Sequence, residues 1–116
     1  MCKMISSETV IGNFIIEAVE KEDFKIEISK LFEFDTKLSQ ILTKLDYYTN
    51  LNTLKIVEFA ENYPFFVKSV DDGYLNIVNE AKDNKVLTNK LERYFRFGMP
   101  KSVIDQMQNT SKALLE

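Results

Sequence analysis

FFVKSVDDGYLNIV, residues 65–78, decides between two folds. An Asp-Gly pair between apolar runs is the strongest short-range signal for a β-hairpin. The same residues also suit a helix start, because Asp71 or Asp72 can cap a helix carrying Tyr74, Leu75, Ile77, Val78 and Ala81. A hairpin with nothing to pair against is marginal in water, so the choice turns on whether the chain holds another strand.

The place to look is DFKIEISKLFEF, residues 23–34. There Phe24, Ile26, Ile28, Phe32 and Phe34 alternate as on a strand, while Phe24, Ile28, Leu31 and Phe32 make a helical stripe, and periodicity does not separate the two. Clear helices on both sides and the lack of another convincing alternating segment favour helix for 23–34. They favour a short helix from Pro64 to Val70, a turn and a second helix for 65–78.

The remaining segments read as helices. Ser6 or Ser7 caps a helix over 7–20 with Val10, Phe14, Ile15, Ala18 and Val19 at helical spacing. Gly12 interrupts it at about 1 kcal/mol relative to alanine, and the usual reason for such a glycine is close approach of a neighbour. Asp35 or Thr36 caps a segment running to Tyr48, and Asn50 ends it. Another helix starts near Asn52 and breaks before Pro64. Asp83 and Asn84 mark a break, 85–97 form a helix with Gly98 at the C′ position, and Pro100 opens a last helix that reaches about Asn109. The expected fold is therefore all-α, one domain over 1–116 with about six to seven short helices, and a small β-hairpin near 65–78 is the alternative.

Composition removes many mechanisms. The chain has 116 residues, no histidine, no tryptophan and one cysteine, Cys2. A histidine general base, a Ser/His/Asp triad, a Cys/His dyad and the usual Cys/His zinc site are excluded within this chain. An internal disulfide is impossible, which leans toward a reducing, cytoplasmic or otherwise intracellular setting. No apolar run is long enough to span a membrane, and the amino-terminal stretch reads as an amphipathic helix rather than a signal peptide. Three glycines build no phosphate cradle. Asp71-Asp72-Gly73 is turn or cap chemistry, because Leu75 and Ile77 occupy positions where a calcium loop needs oxygen ligands. The acidic run Glu17, Glu20, Glu22, Asp23 and Glu27 is interleaved with Lys21 and Lys25 and reads as a solvated face. The tyrosines are expected at the core edge with their hydroxyls in water. No catalytic residue, cofactor or metal ligand is expected.

Residues 51–85, LNTLKIVEFAENYPFFVKSVDDGYLNIVNEAKDNK, resemble an armadillo or HEAT repeat. Leu54, Val57 and Ala60 match the leading helix, Pro64 the break, Gly73 to Val78 the turn and start of the last helix, and Asp83 and Asn84 the closing turn. ENYPFFVKSV and RFGMPKSVID echo each other with prolines 36 residues apart, within the period range of helical repeats. The resemblance implies stacked helix pairs that present a surface to a protein partner.

Charge is uneven. Residues 1–62 carry 7 lysines against 11 acids, whereas 85–112 carry 6 basic residues against 2 acids. Both arginines, Arg93 and Arg96, fall in KLERYFRFGMPK, residues 90–101. On a helix Lys90, Arg93 and Arg96 share one face, with Leu91, Tyr94 and Phe95 directed to the core and Lys101 across the turn. Lys90, Arg93, Arg96 and Lys101 are thus the candidate partner-binding residues. The expected function is a non-enzymatic adaptor, inhibitor or assembly factor that binds another protein through a helical face. The alternative is a small nucleic-acid-associated or transcription-related factor using the basic 85–112 segment.

Overall fold

In the computed structural model, which describes residues 5–42, 51–79 and 84–115, the Asp-Gly pair closes a hairpin. β2 (Val67–Asp71) and β3 (Tyr74–Ile77) run antiparallel. The two residues between them, Asp72 at φ +45° and Gly73 at φ +79°, both lie in the left-handed region, as a type I′ turn demands. The missing partner strand comes from the other ambiguous stretch. β1 (Lys25–Glu27) pairs with β3 in the register Lys25↔Asn76, Ile26↔Leu75 and Glu27↔Tyr74, which completes a three-stranded antiparallel sheet in the order β1-β3-β2.

This overturns the all-α expectation of six to seven helices. Among the described residues the chain is a compact α/β globule with five helices beside the sheet: α1 (Ser7–Glu20), α2 (Ile28–Ile41), α3 (Thr53–Asn62), α4 (Asn84–Phe95) and α5 (Lys101–Leu115). The physical reason is mutual. Each ambiguous stretch lacks a partner when taken alone, and each is the partner of the other. Pairing buries Ile26 and Leu75 opposite one another, leaves Lys25 and Glu27 in solvent, and seats the Lys25 ammonium 4.5 Å from the centre of the Tyr74 ring.

Two boundaries move as a consequence. The strand hands over directly to α2, whose first residue donates its N–H to the Gly73 carbonyl at 2.9 Å, so the hairpin turn satisfies the helix start. α2 then continues through Asp35 and Thr36 without a break, and the Thr36 hydroxyl bonds back to the Phe32 carbonyl at 2.9 Å instead of capping a new helix. The expected end of that segment near Tyr48 and Asn50 lies outside the described residues. Within 51–85, which carries the repeat resemblance, α3 is followed by the hairpin, and a strand stands where the resemblance implies the last helix. α5 extends past Asn109 to Leu115.

α1 is the axis of the molecule. Every residue from Val10 to Val19 is buried, and α2, α3, α4 and α5 all pack around it. A helix buried on all sides must be apolar all round or bring partners for its polar groups. Ser6 caps it, accepting from the Thr9 N–H at 3.2 Å. Gly12 has the reason expected of it: a Cβ at this position would fall inside the Phe95 ring, so the glycine is what lets α4 come down onto α1.

Candidate functional site

The two polar residues of the buried stretch, Asn13 and Glu17, stand one turn apart on α1 and so face the same neighbour. That neighbour is Arg96. Its Nε donates to Asn13 Oδ1 at 2.6 Å, and its Nη2 donates to Glu17 Oε1 at 3.1 Å. The Asn13 amide donates in turn to the carbonyls of Thr9 at 2.8 Å and Phe95 at 3.4 Å. Arg96 is 8% exposed and Glu17 1%, so the guanidinium and carboxylate neutralise each other out of water.

Arg96 therefore leaves the face that the sequence assigned to it. α4 stops at Phe95, the chain turns through Gly98 at φ +82°, and the Met99 N–H closes the turn on the Arg96 carbonyl at 3.1 Å. The Arg96 N–H still bonds the Glu92 carbonyl at 2.8 Å, and its side chain runs to Asn13 and Glu17 on α1 rather than joining the exposed row of Lys90 and Arg93. Glu17 likewise leaves the acidic run that reads as solvated. Lys90 and Arg93 are exposed on α4, and Lys101 is exposed at the first residue of α5.

Phe95 joins this polar knot to an aromatic cluster. Its ring packs 5.5 Å from Phe59, 5.2 Å from Tyr63 and 6.0 Å from Phe66, centre to centre, while Tyr94 stands edge-on to Phe66 at 5.8 Å. The Tyr63 hydroxyl does not face water alone: it donates to Glu8 Oε2 at 2.6 Å. Burial first, then the bond to the Glu8 carboxylate and its charge, push this phenol up from 10.0 to about 12.

The outer edge of the cluster is an open groove of about 140 Å³ between the hairpin and α4, lined by Phe65, Phe66, Val78, Val86, Leu87 and Lys90. Val86, Lys90 and Tyr94 follow at intervals of four and form one flank of α4. The apolar exposure is large for residues of this kind: Phe65 is 75% exposed, Val86 51%, Tyr94 65%, and Phe97 in the turn beyond 88%. Tyr94 thus meets the rings of Tyr63, Phe66 and Phe95 yet stays largely in solvent, in contrast to the core position expected for it. Among the described residues Leu54 on α3 and Ile41 on α2 are the other large exposed apolar residues.

The opposite flank of α4 has different chemistry. Glu92, Asn89 and Thr88 face a wider depression of about 460 Å³ completed by Val19, Glu20, Glu22 and Lys85. Glu20 titrates above the usual carboxylate range, first because it is partly desolvated and next because of the Glu17 charge, with Arg96 and Lys112 pulling the other way. Among the described residues no group of three or more His, Cys, Asp or Glu side chains is placed to hold a metal ion, and no helix is long and apolar enough to cross a membrane.

The sequence reading missed Phe65 and Val86. A signal was present for Phe65, since adjacent phenylalanines entering a strand turn to opposite sides and cannot both reach one core. For Arg96 the signal lay on α1, where Asn13 and Glu17 interrupt an otherwise apolar helix and require a buried donor. Comparison of the chain with protein-family models, with curated proteins and with solved structures finds no match.

Proposed function

We propose that the chain is a non-enzymatic interaction module that binds another protein through the outer flank of α4, working as an adaptor, inhibitor or assembly factor in a reducing, intracellular compartment. The observation that carries this reading is the groove beside Val86, Lys90 and Tyr94. Large apolar side chains stand in solvent there as a group, and contiguous exposed apolar surface on a folded domain marks a contact site more often than an accident of packing. Its volume of about 140 Å³ matches a single apolar side chain. An apolar cavity of about 150 Å³ holds one benzene, whereas small-molecule and cofactor sites run to about 300–1,000 Å³. The absence of histidine from the sequence fits the same reading.

Site-specific photocrosslinking tests it. A benzophenone side chain placed at Phe65 or Val86, irradiated in the native host, is expected to trap a discrete adduct with another polypeptide, and the same group placed at exposed Glu22 is not. Identical adducts from both places, or none from the α4 flank, would sink the proposal.

The nucleic-acid reading retains Lys90, Arg93 and Lys101 but loses Arg96 to the ion pair with Glu17, which leaves it a thinner basic surface. Retention of single-stranded DNA at low salt, falling steeply as salt rises, would favour it over a protein partner.

A further inference from the structure

The groove also carries information about what fits it. Among its described lining residues Lys90 bears the only charge, and Arg93 follows on the same exposed side of α4. The carboxylate tied to the neighbouring aromatic cluster, Glu8, is already engaged by the Tyr63 hydroxyl. Glu92 faces the other flank, with Glu20 and Glu22. Among the described residues an apolar slot sized for one side chain is thus edged by cations in a chain whose net charge is −3.

A second copy of the chain meeting this flank about a twofold axis would bring Lys90 and Arg93 toward their own counterparts, and like charges brought together suppress such a pairing. We infer that the groove takes one leucine, isoleucine or phenylalanine of a partner polypeptide whose adjoining aspartates or glutamates pair with Lys90 and Arg93. This rests on the interaction-module reading above and specifies its partner as a short acidic, amphipathic segment. The apolar anchor supplies affinity, and the cations at the edge supply selectivity and a salt-sensitive association rate.

The test is selection of a random-peptide library displayed on phage against the full chain, followed by titration of synthetic copies of the winners. Selected peptides are expected to share one large apolar residue flanked by acids. Val86→Asp is expected to weaken them by about 30-fold, as loss of an anchor pocket does. Lys90→Glu with Arg93→Glu weakens them by about tenfold, and the loss is smaller in high salt. All three positions are exposed, so the variants should keep the wild-type circular dichroism and unfolding midpoint, and Phe65→Ser provides a second disruption of the groove from the hairpin side.

Neutral or basic winners that still depend on Val86 would overturn the acidic-segment inference while leaving the interaction-module reading in place. Winners indifferent to Val86→Asp and Phe65→Ser, or no winners, would overturn both. Sedimentation showing self-association that Val86→Asp abolishes would overturn the inference in favour of a second copy. Tighter binding of oligo(dT) than of any selected peptide would do so in favour of nucleic acid.

Discussion

Arg93 and Arg96 are three residues apart in the chain, and the fold puts them in different solvents. Arg93 stands in water on the last turn of α4, whereas Arg96, the residue directly after the helix, is buried and pairs its charge with Glu17 and a donor with Asn13. The same helix end thus serves two regions, a buried knot that fastens α4 to α1 and an open flank that leaves apolar surface unpaired. The difference teaches that a basic run must be divided by which of its members a neighbouring helix can partner. Residue type and spacing put Arg93 and Arg96 near one face; Asn13 and Glu17 on α1 draw Arg96 out of water and leave Arg93 in it.

The knot is where substitutions should hurt most. Phe95→Ala removes a ring that touches Gly12, Phe59, Tyr63 and Phe66, and chemical denaturation is expected to show a loss of about 3–5 kcal/mol. Gly12→Ala attacks the same contact from the other side. Alanine's better helix propensity returns about 1 kcal/mol, yet the added methyl overlaps the ring, at an expected overpacking cost of about 1–3 kcal/mol. The double variant Gly12→Ala, Phe95→Leu should then lose less than the two single losses combined. Additive losses would show that the two residues do not meet.

Tyr63→Phe comes next. It removes the donor to Glu8 at an expected cost of about 1 kcal/mol near neutral pH. In the folded protein the phenol titrates near 12 instead of 10.0, so the native state holds its proton more tightly across that window. Stability from this bond is present below pH 10 and is lost as pH rises toward 12. Alkaline unfolding followed by far-ultraviolet circular dichroism should therefore be less steep in Tyr63→Phe than in the wild type.

The open flank should show the smallest effects on stability. Tyr94→Ser and Val86→Asp change residues that are 65% and 51% exposed, and for Val86→Asp the unfolding free energy is expected to move by no more than about 0.5 kcal/mol. Tyr94→Ser should cost somewhat more, since its ring still meets Phe66 edge-on. A large loss from Val86→Asp would mean that the flank is part of the core.

Much of the helical scaffold was legible because its signals are local. Ser6 and Asn52 cap α1 and α3 through their side chains, Pro64 stops α3, and Gly98 takes the positive φ that ends α4. The sheet was not legible because its signal is mutual. Ile26 and Leu75 become a cross-strand pair only when two segments, each acceptable as helix, are considered together. Lys90 and Arg93 were legible as exposed cations, since α4 keeps its period through them. Arg96 was not, because the partners that bury it, Asn13 and Glu17, lie on α1, far away in the chain. The groove itself draws on Phe65 from the turn before β2 and Val86 from α4, and no periodicity in either segment points to the other.

The most direct measurement is equilibrium urea unfolding of Arg96→Ala and Arg93→Ala side by side. Arg96→Ala leaves the buried Glu17 without its ion-pair partner beside Asn13, and a loss of about 3–5 kcal/mol is expected. Arg93→Ala, on the exposed side of the same helix, should stay within about 0.5 kcal/mol of the wild type. Equal effects from the two arginines would contradict the division of this helix end into a buried knot and a free flank.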